Sequence, residues 1–299
     1  MNNSFESLIE NKQVVDPNYA FLYLYMNEIM KFCPLDLAND KSFFFDHVHI
    51  VWNEQITLHQ SPTWELSYVV TGSGTRIVGD TTEFFKAGEV VLLPPNMPHG
   101  WYFDEFDHDK EGKIENITII FPVSFLEKVN TDFPEISKYV KEILPKKQAI
   151  KFEGNTKNSI QKVMYDMILE NEWERLLSLF KILALIGSSD ETSVVGTFEK
   201  QSKSSVKMQN VARFLVNNFQ RKITLDEVAR YIGMNRSSFC SFYKKMKGKT
   251  FFSDLNEYRI NSSCVMLKET SMSIADICFA VGFEDVPHFN LTFKKIKRI

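Results

Sequence analysis

The sequence predicts an α+β chain of two domains: an N-terminal antiparallel β-barrel with flanking helices, then an all-α domain in which a linker helix joins two helix-turn-helix motifs. Three observations predict it. Short alternating stretches separated by turns fill residues 43–121, helical spacing takes over from residue 156, and the last hundred residues contain an internal repeat.

The elements follow in chain order. After Pro17 a helix is predicted from Tyr19, Phe21, Leu22, Tyr23, Tyr25, Met26 and Ile29, an arm for packing on the barrel. From Phe43 to Phe121 the turns come at regular spacing, at Gly72 and Gly74, at Gly79-Asp80, at Gly88, and through Pro94, Pro95 and Pro98, as in a sandwich or barrel. Residues 156–186 read as two helices broken near Asn171, one with Ile160, Val163, Met164 and Met167 on a face, the other with Leu176, Leu177, Phe180 and Leu183. Two readings stand for them: they close off the barrel, or they form the seam of a dimer. A polar, Ser-rich stretch, 187–205, is the expected linker, so the domains are 1–186 and 206–299.

The repeat sets Ile223 to Gly233 against Met272 to Gly282 at an offset of 49 residues. One inserted residue in the turn then pairs Phe239 with Phe289, Tyr243 with Phe293, and Lys244-Lys245 with Lys294-Lys295. Each copy carries the physics of a helix-turn-helix. Thr224 and Ser273 are N-caps, with Glu227 and Asp276 three residues on. Ala229 and Cys278 are small where two helices approach, and Gly233 and Gly282 stand where a left-handed C-cap favours glycine. The second helices start at Asn235 and Asp285 and turn Phe239, Phe242, Tyr243 and Met246, or Phe289 and Phe293, inward. Phe252 to Lys268 reads as one connecting helix, which would hold the two second helices about 34 Å apart if both enter one face of a duplex.

Charge divides along the same boundary. Residues 1–200 hold 18 Lys and Arg against 30 Asp and Glu, and residues 201–299 hold 17 against 8, so a net −3 conceals an acidic body and a basic end suited to a polyanion such as DNA. Cys33, Cys240, Cys264 and Cys278 show no paired spacing, as expected in a reducing cytoplasm. No signal peptide or membrane span is read, since the most apolar run, Leu176 to Ile186, is short and carries Lys181.

The stretches Phe239 to Arg259 and Ile274 to Lys295 resemble the double motif of the AraC/XylS family over about 90 residues. The resemblance implies a DNA-binding transcription regulator, an activator working as a homodimer with RNA polymerase. It assigns the groove-facing positions to Arg236, Ser237, Cys240 and Ser241 in one unit and to Val286, His288, Asn290 and Leu291 in the other. Of these only Arg236 and Asn290 are good base readers. Lys244, Lys245, Lys294 and Lys295 are expected on phosphates, the alternative being an ordinary solvated face. The family continues past its last helix into a tail with Gly, Pro and Arg, whereas this sequence stops at Ile299, so the second unit is expected to bind weakly.

Trp64 to Gly74 and Phe85 to His99 resemble the paired motifs of the cupin barrel. His59, Glu65 and His99 match three of its metal ligands, but Ser61 stands where a second histidine belongs, and the sensor barrels of this family generally hold no metal. The expectation is therefore no metal, no cofactor and no catalytic residue. A small-molecule effector of the carbohydrate kind is expected against His59, Trp64, Glu65, Tyr68, Arg76, His99 and Trp101, which combine flat apolar faces with polar groups. The same aromatics could equally be core. The rival reading is a metal-dependent cupin enzyme with a nucleic-acid-binding tail.

Overall fold

The computed structural model describes residues 31–32, 41–54, 58–198 and 203–298. The arm helix expected after Pro17, and Cys33, lie outside these residues. The strands form two sheets. One runs β1 (Lys31–Phe32), β3 (His59–Gln60), β8 (His99–Phe103), β5 (Gly74–Val78) and β6 (Thr81–Phe85). The other runs β11 (Thr192–Gly196), β10 (Ala149–Phe152), β7 (Val90–Leu93), β4 (Thr63–Thr71), β9 (Lys113–Pro122) and β2 (Phe44–Val51). Neighbours are antiparallel except β1 and β3. Among the described residues no ladder joins the two, so the barrel is realised as an open double sheet, closed across its interior by side chains.

The second sheet shows why alternation decides what each residue touches. Trp64 and Leu66 of β4 join Ile117, Ile119 and Phe121 of β9 in a core shared with α1 (Val123–Asp132), α2 (Pro134–Ile143), α3 (Gly154–Asp166) and α4 (Glu172–Gly187). Val69, Val91, Leu93 and Ile114, on the opposite face, meet Val78, Trp101 and Phe103 of the first sheet. The break at Asn171 is a helix start: its side chain accepts from the Glu174 N–H while Glu174 accepts from the Asn171 N–H, a complete capping box.

The expected linker, polar and Ser-rich apart from Val194, Val195 and Phe198, contains the strand β11. Val194 and Val195 are β-branched, and Val195 is buried, so this run pairs with β10. Thr197 then donates from its N–H and hydroxyl to Asp80 at 3.0 and 2.9 Å, pinning the chain just before the helical domain.

That domain comprises α5 (Lys203–Asn218), α6 (Leu225–Tyr231), α7 (Arg236–Lys247), α8 (Phe251–Glu269), α9 (Ile274–Ala280) and α10 (Val286–Lys297). It has two cores. Phe251 and Leu255 of α8 pack with Val228, Ala229, Phe239 and Tyr243, and Ile260 and Met266 of α8 pack with Ile277, Cys278, Val281 and Phe289. One helix thus runs through both units, as its sequence predicts. It also touches the sheets: the Thr75 hydroxyl donates to Tyr258 at 2.9 Å, Ser262 donates to Asp104 at 3.3 Å, and Gln209 of α5 donates to the Gly79 carbonyl at 2.8 Å. No helix among the described residues is long and apolar enough to cross a membrane.

Candidate nucleic-acid interface and interior polar site

The two helix-turn-helix units close with the same hydrogen bonds. All four expected caps are made: Thr224, Asn235, Ser273 and Asp285 accept from the N–H of Glu227, Ser238, Asp276 and His288. At the first turn the Met234 N–H reaches the Ala229 carbonyl at 2.8 Å and the Gly233 N–H the Arg230 carbonyl at 3.0 Å. At the second, Phe283 reaches Cys278 and Gly282 reaches Phe279, both at 3.0 Å. These are Schellman closures, and they require the left-handed glycines found there, φ +64° at Gly233 and +89° at Gly282.

The caps fix how α7 and α10 are rotated. Phe239, Tyr243 and Phe289 face inward, which leaves Arg236, Ser237, Cys240 and Ser241 exposed on α7, and His288, Asn290 and Leu291 exposed on α10. Lys244, Lys245, Lys294 and Lys295 are exposed in the last turns of the same helices. Val286 is the exception, half-buried against the second core. Met246, expected inward, is also exposed, because Gly248 ends α7 before another layer could cover it. Arg236 lies 3.4 Å from Asp226, an exposed pair too weak to hold it from a base edge.

Between the sheets the effector residues separate into groups. His59 of β3 pairs in register with His99 of β8, their rings 4.2 Å apart. The His99 Nδ1–H donates to the Met97 carbonyl at 2.8 Å, and its Nε2 lies 3.0 Å from Glu65 Oε2. Burial raises the Glu65 carboxyl, but the charge and hydrogen bond of His99 outweigh it and hold the carboxyl below its ordinary value. The same pair works on His99, where Glu65 overcomes the lowering by burial and raises the imidazole. The two form a buried histidine–carboxylate pair in which each partner favours the charged form of the other. His59, Glu65 and His99 can each present one ligand atom within 4.8 Å of the others. Ser61, at the missing histidine's position, is hydrogen-bonded to Thr63 at 2.7 Å.

Trp101 lies beside this cluster, 5.7 Å from His99 by ring centroids, and Arg76 is its register partner on β5. The Arg76 guanidinium is buried and already paired, with Glu83 at 2.8 Å and Glu89 at 3.1 Å. Trp64 and Tyr68 are a correction: they pack on the helix side of β4, so a strand separates them from Glu65. The sequence reading grouped neighbours along the chain where the two-residue period alternates them between faces. It missed the polar strip that shares Glu65's face, in which Ser67 donates to Asn116 at 3.3 Å and Asn116 donates to Thr118 at 2.9 Å, with Asp46 opposite Thr118. The signal was present in β9, where Asn116 and Thr118 interrupt an isoleucine run in the phase of the sheet interior.

Comparison with known proteins follows the same division. A helix-turn-helix domain family matches residues 228–299 and a cupin domain family matches residues 47–106. The HTH-type transcriptional regulator YdeC of Bacillus subtilis is 26% identical over 91 residues, 30% of this chain and 31% of that protein. A second B. subtilis regulator, YtdP, is 30% identical over 90 residues, 30% of this chain and 12% of its own length. The chain thus spans less than a third of either. The lactose operon transcription activator of Staphylococcus xylosus is 21% identical over 238 residues, 77% of this chain and 79% of that one. Among solved structures, ToxT of Vibrio cholerae aligns over 87% of this chain and 96% of its own at 15% identity, with a TM-score of 0.34.

Proposed function

We propose that this chain is a regulator of the AraC/XylS type: a cytoplasmic, sequence-specific DNA-binding transcription activator that responds to a small molecule of the carbohydrate class. The observation that carries the reading is the duplication: two identically capped units, built around one helix, each presenting its second helix to solvent with lysines at the end. A protein that reads two successive major-groove segments needs this arrangement. With few base-reading side chains, affinity comes mainly from phosphates, and selectivity from Arg236, Asn290 and duplex shape.

Our reading assigns the effector to the space between the sheets, on the support of Glu65, His99, His59 and Trp101 together with the polar strip of β4 and β9. Hydroxyl and amide groups beside an aromatic face suit a sugar, and the similar S. xylosus protein is named for the lactose operon. For the homodimer the support is an exposed apolar strip, with Leu169 93%, Trp173 62% and Leu177 55% exposed around the start of α4, a surface that a second copy would cover. RNA polymerase is the partner an activator requires.

Footprinting against the DNA flanking the chain's own gene tests the reading. Discrete protected sites lost in Arg236→Ala and Asn290→Ala support it, and uniform protection at every sequence contradicts it. The histidine–glutamate cluster favours one second reading, a metal-dependent enzyme, because its three ligand atoms fit a tetrahedral ion with an open position. Stoichiometric zinc, iron or manganese in the purified protein, lost in Glu65→Gln, would support that reading instead.

A further inference from the structure

A cavity of about 290 Å³ lies between the sheet domain and the helical domain. One wall comes from β5, β6, β8 and the loop that follows β8, and the other from the end of α5 and a face of α8. Its lining is unusual in two respects. Trp52, Phe84, Tyr102, Phe106, Phe219 and Tyr258 line it, with Tyr258 in ring contact with both Phe84 and Phe219, and the charged residues that line it, Asp104 and Glu105, are both acidic.

Asp104 is the better placed of the two. Its Oδ1 accepts from the Phe106 N–H at 3.0 Å and its Oδ2 from Ser262 at 3.3 Å, so the carboxylate is held at the boundary between the domains. Burial raises its pKa, and no lysine, arginine or histidine among the described lining residues answers its charge. Glu105 turns to Gln220 of the opposite wall, 3.4 Å away. The nearest cation on α8, Arg259, is committed elsewhere, donating to the Phe219 and Arg221 carbonyls at 2.8 Å each. Ring faces carry negative electrostatic potential, and a partly desolvated carboxylate beside them adds to it, a combination that attracts cations and repels anions.

We propose that this cleft binds a small organic cation, a protonated amine or quaternary ammonium bearing an apolar group, held among the aromatic rings with Asp104 as its counter-charge. The site is separate from the polar strip between the sheets and does not depend on the carbohydrate reading. Because the bound cation would touch β5 and β8 on one side and α8 on the other, it would favour the docked arrangement of the domains over any in which the helical domain separates, and so act on the helix that spaces the two DNA-reading units.

Titration calorimetry on the full chain tests this with three probes of one shape: benzyltrimethylammonium, benzyl alcohol and benzoate. The cation is expected to bind with one site per chain, about tenfold more tightly than the alcohol, with benzoate weakest. Asp104→Asn and Phe84→Ala should each weaken the cation by about tenfold, and Glu65→Gln should leave it unchanged. Phe84 stands at the rim, 37% exposed, so its variant decides the matter should Asp104→Asn fail to fold. Equal affinity for the three probes, undiminished binding in Phe84→Ala, or loss in Glu65→Gln would overturn the proposal, and the last outcome would move the cation to the space between the sheets. Failure of carbohydrates to bind would leave this result untouched.

Discussion

The buried pair of Glu65 and His99 ties two titratable side chains of the sheet domain to each other. Their pKa shifts have opposite signs and give a stability window. The lowered Glu65 carboxyl stabilises the fold above its ordinary 4.5, and that contribution is lost as pH falls through its depressed value. The raised His99 imidazole stabilises below its ordinary 6.5, and that contribution is lost as pH rises through its elevated value. Chemical denaturation should therefore show full stability between those limits and a decline on the alkaline side. Glu65→Gln should cost about 2 kcal/mol near pH 6 and flatten the alkaline decline, and an unchanged decline would show that His99 is not raised by this partner. On the helical side, Arg236→Ala should cost about 1–3 kcal/mol at the preferred site and relax selectivity there. Removing Lys244 and Lys245 together should weaken all sequences alike and lower the salt dependence by nearly two phosphate contacts, as measured by binding isotherms across a salt series. Single residues were the level at which the sequence was most uneven as a guide. His59, Glu65 and His99 were legible because their motif spacing survives folding, and their meeting is seen in the 4.2 Å approach of the histidine rings and the 3.0 Å His99–Glu65 hydrogen bond. Trp64 and Tyr68 were not, because a strand sends one neighbour inward and the next to the helices.

The elements of the two helix-turn-helix units and the helix between them were legible almost to the residue, whereas α5 was not read from the sequence at all. Caps and glycine closures are local chemistry, settled by side chains three or four positions apart, and each copy of the repeat checks the other. The two closures still differ in their surroundings. A Cβ at Gly233 would meet nothing within 4 Å, whereas at Gly282 it would stand 2.5 Å from the Phe219 carbonyl and 2.8 Å from the Arg259 guanidinium. Gly233→Ala should thus cost only the left-handed backbone penalty, about 1 kcal/mol. Gly282→Ala should cost clearly more, since it also opens the Arg259 contacts that tie α8 to the end of α5. Thermal unfolding of the two variants checks the order, and equal losses would mean the second turn is not packed as described. Strand β11 shows the opposite case. Its two valines were outvoted by the serines around them, and its pairing depends on β10, some forty residues earlier, which no local pattern reveals.

At the scale of the molecule, an acidic double sheet is docked on a basic pair of helix-turn-helix units through Thr75–Tyr258, Asp104–Ser262 and Gln209–Gly79. The charge split foretold that the ends differ in role. The docking was not foretold, because it depends on residues of β5 and of the loop after β8 meeting a helix 183 and 158 positions later. Breaking the contact between Thr75 and the Tyr258 hydroxyl with Tyr258→Phe should cost about 1 kcal/mol in thermal stability while leaving helicity by circular dichroism unchanged. If two like units read one duplex together, quantitative footprinting at the preferred site will show both. Two protected major-groove segments about 34 Å apart per bound copy are predicted, one weakened by Arg236→Ala and the other by Asn290→Ala. A single protected segment, insensitive to Asn290→Ala, would contradict it.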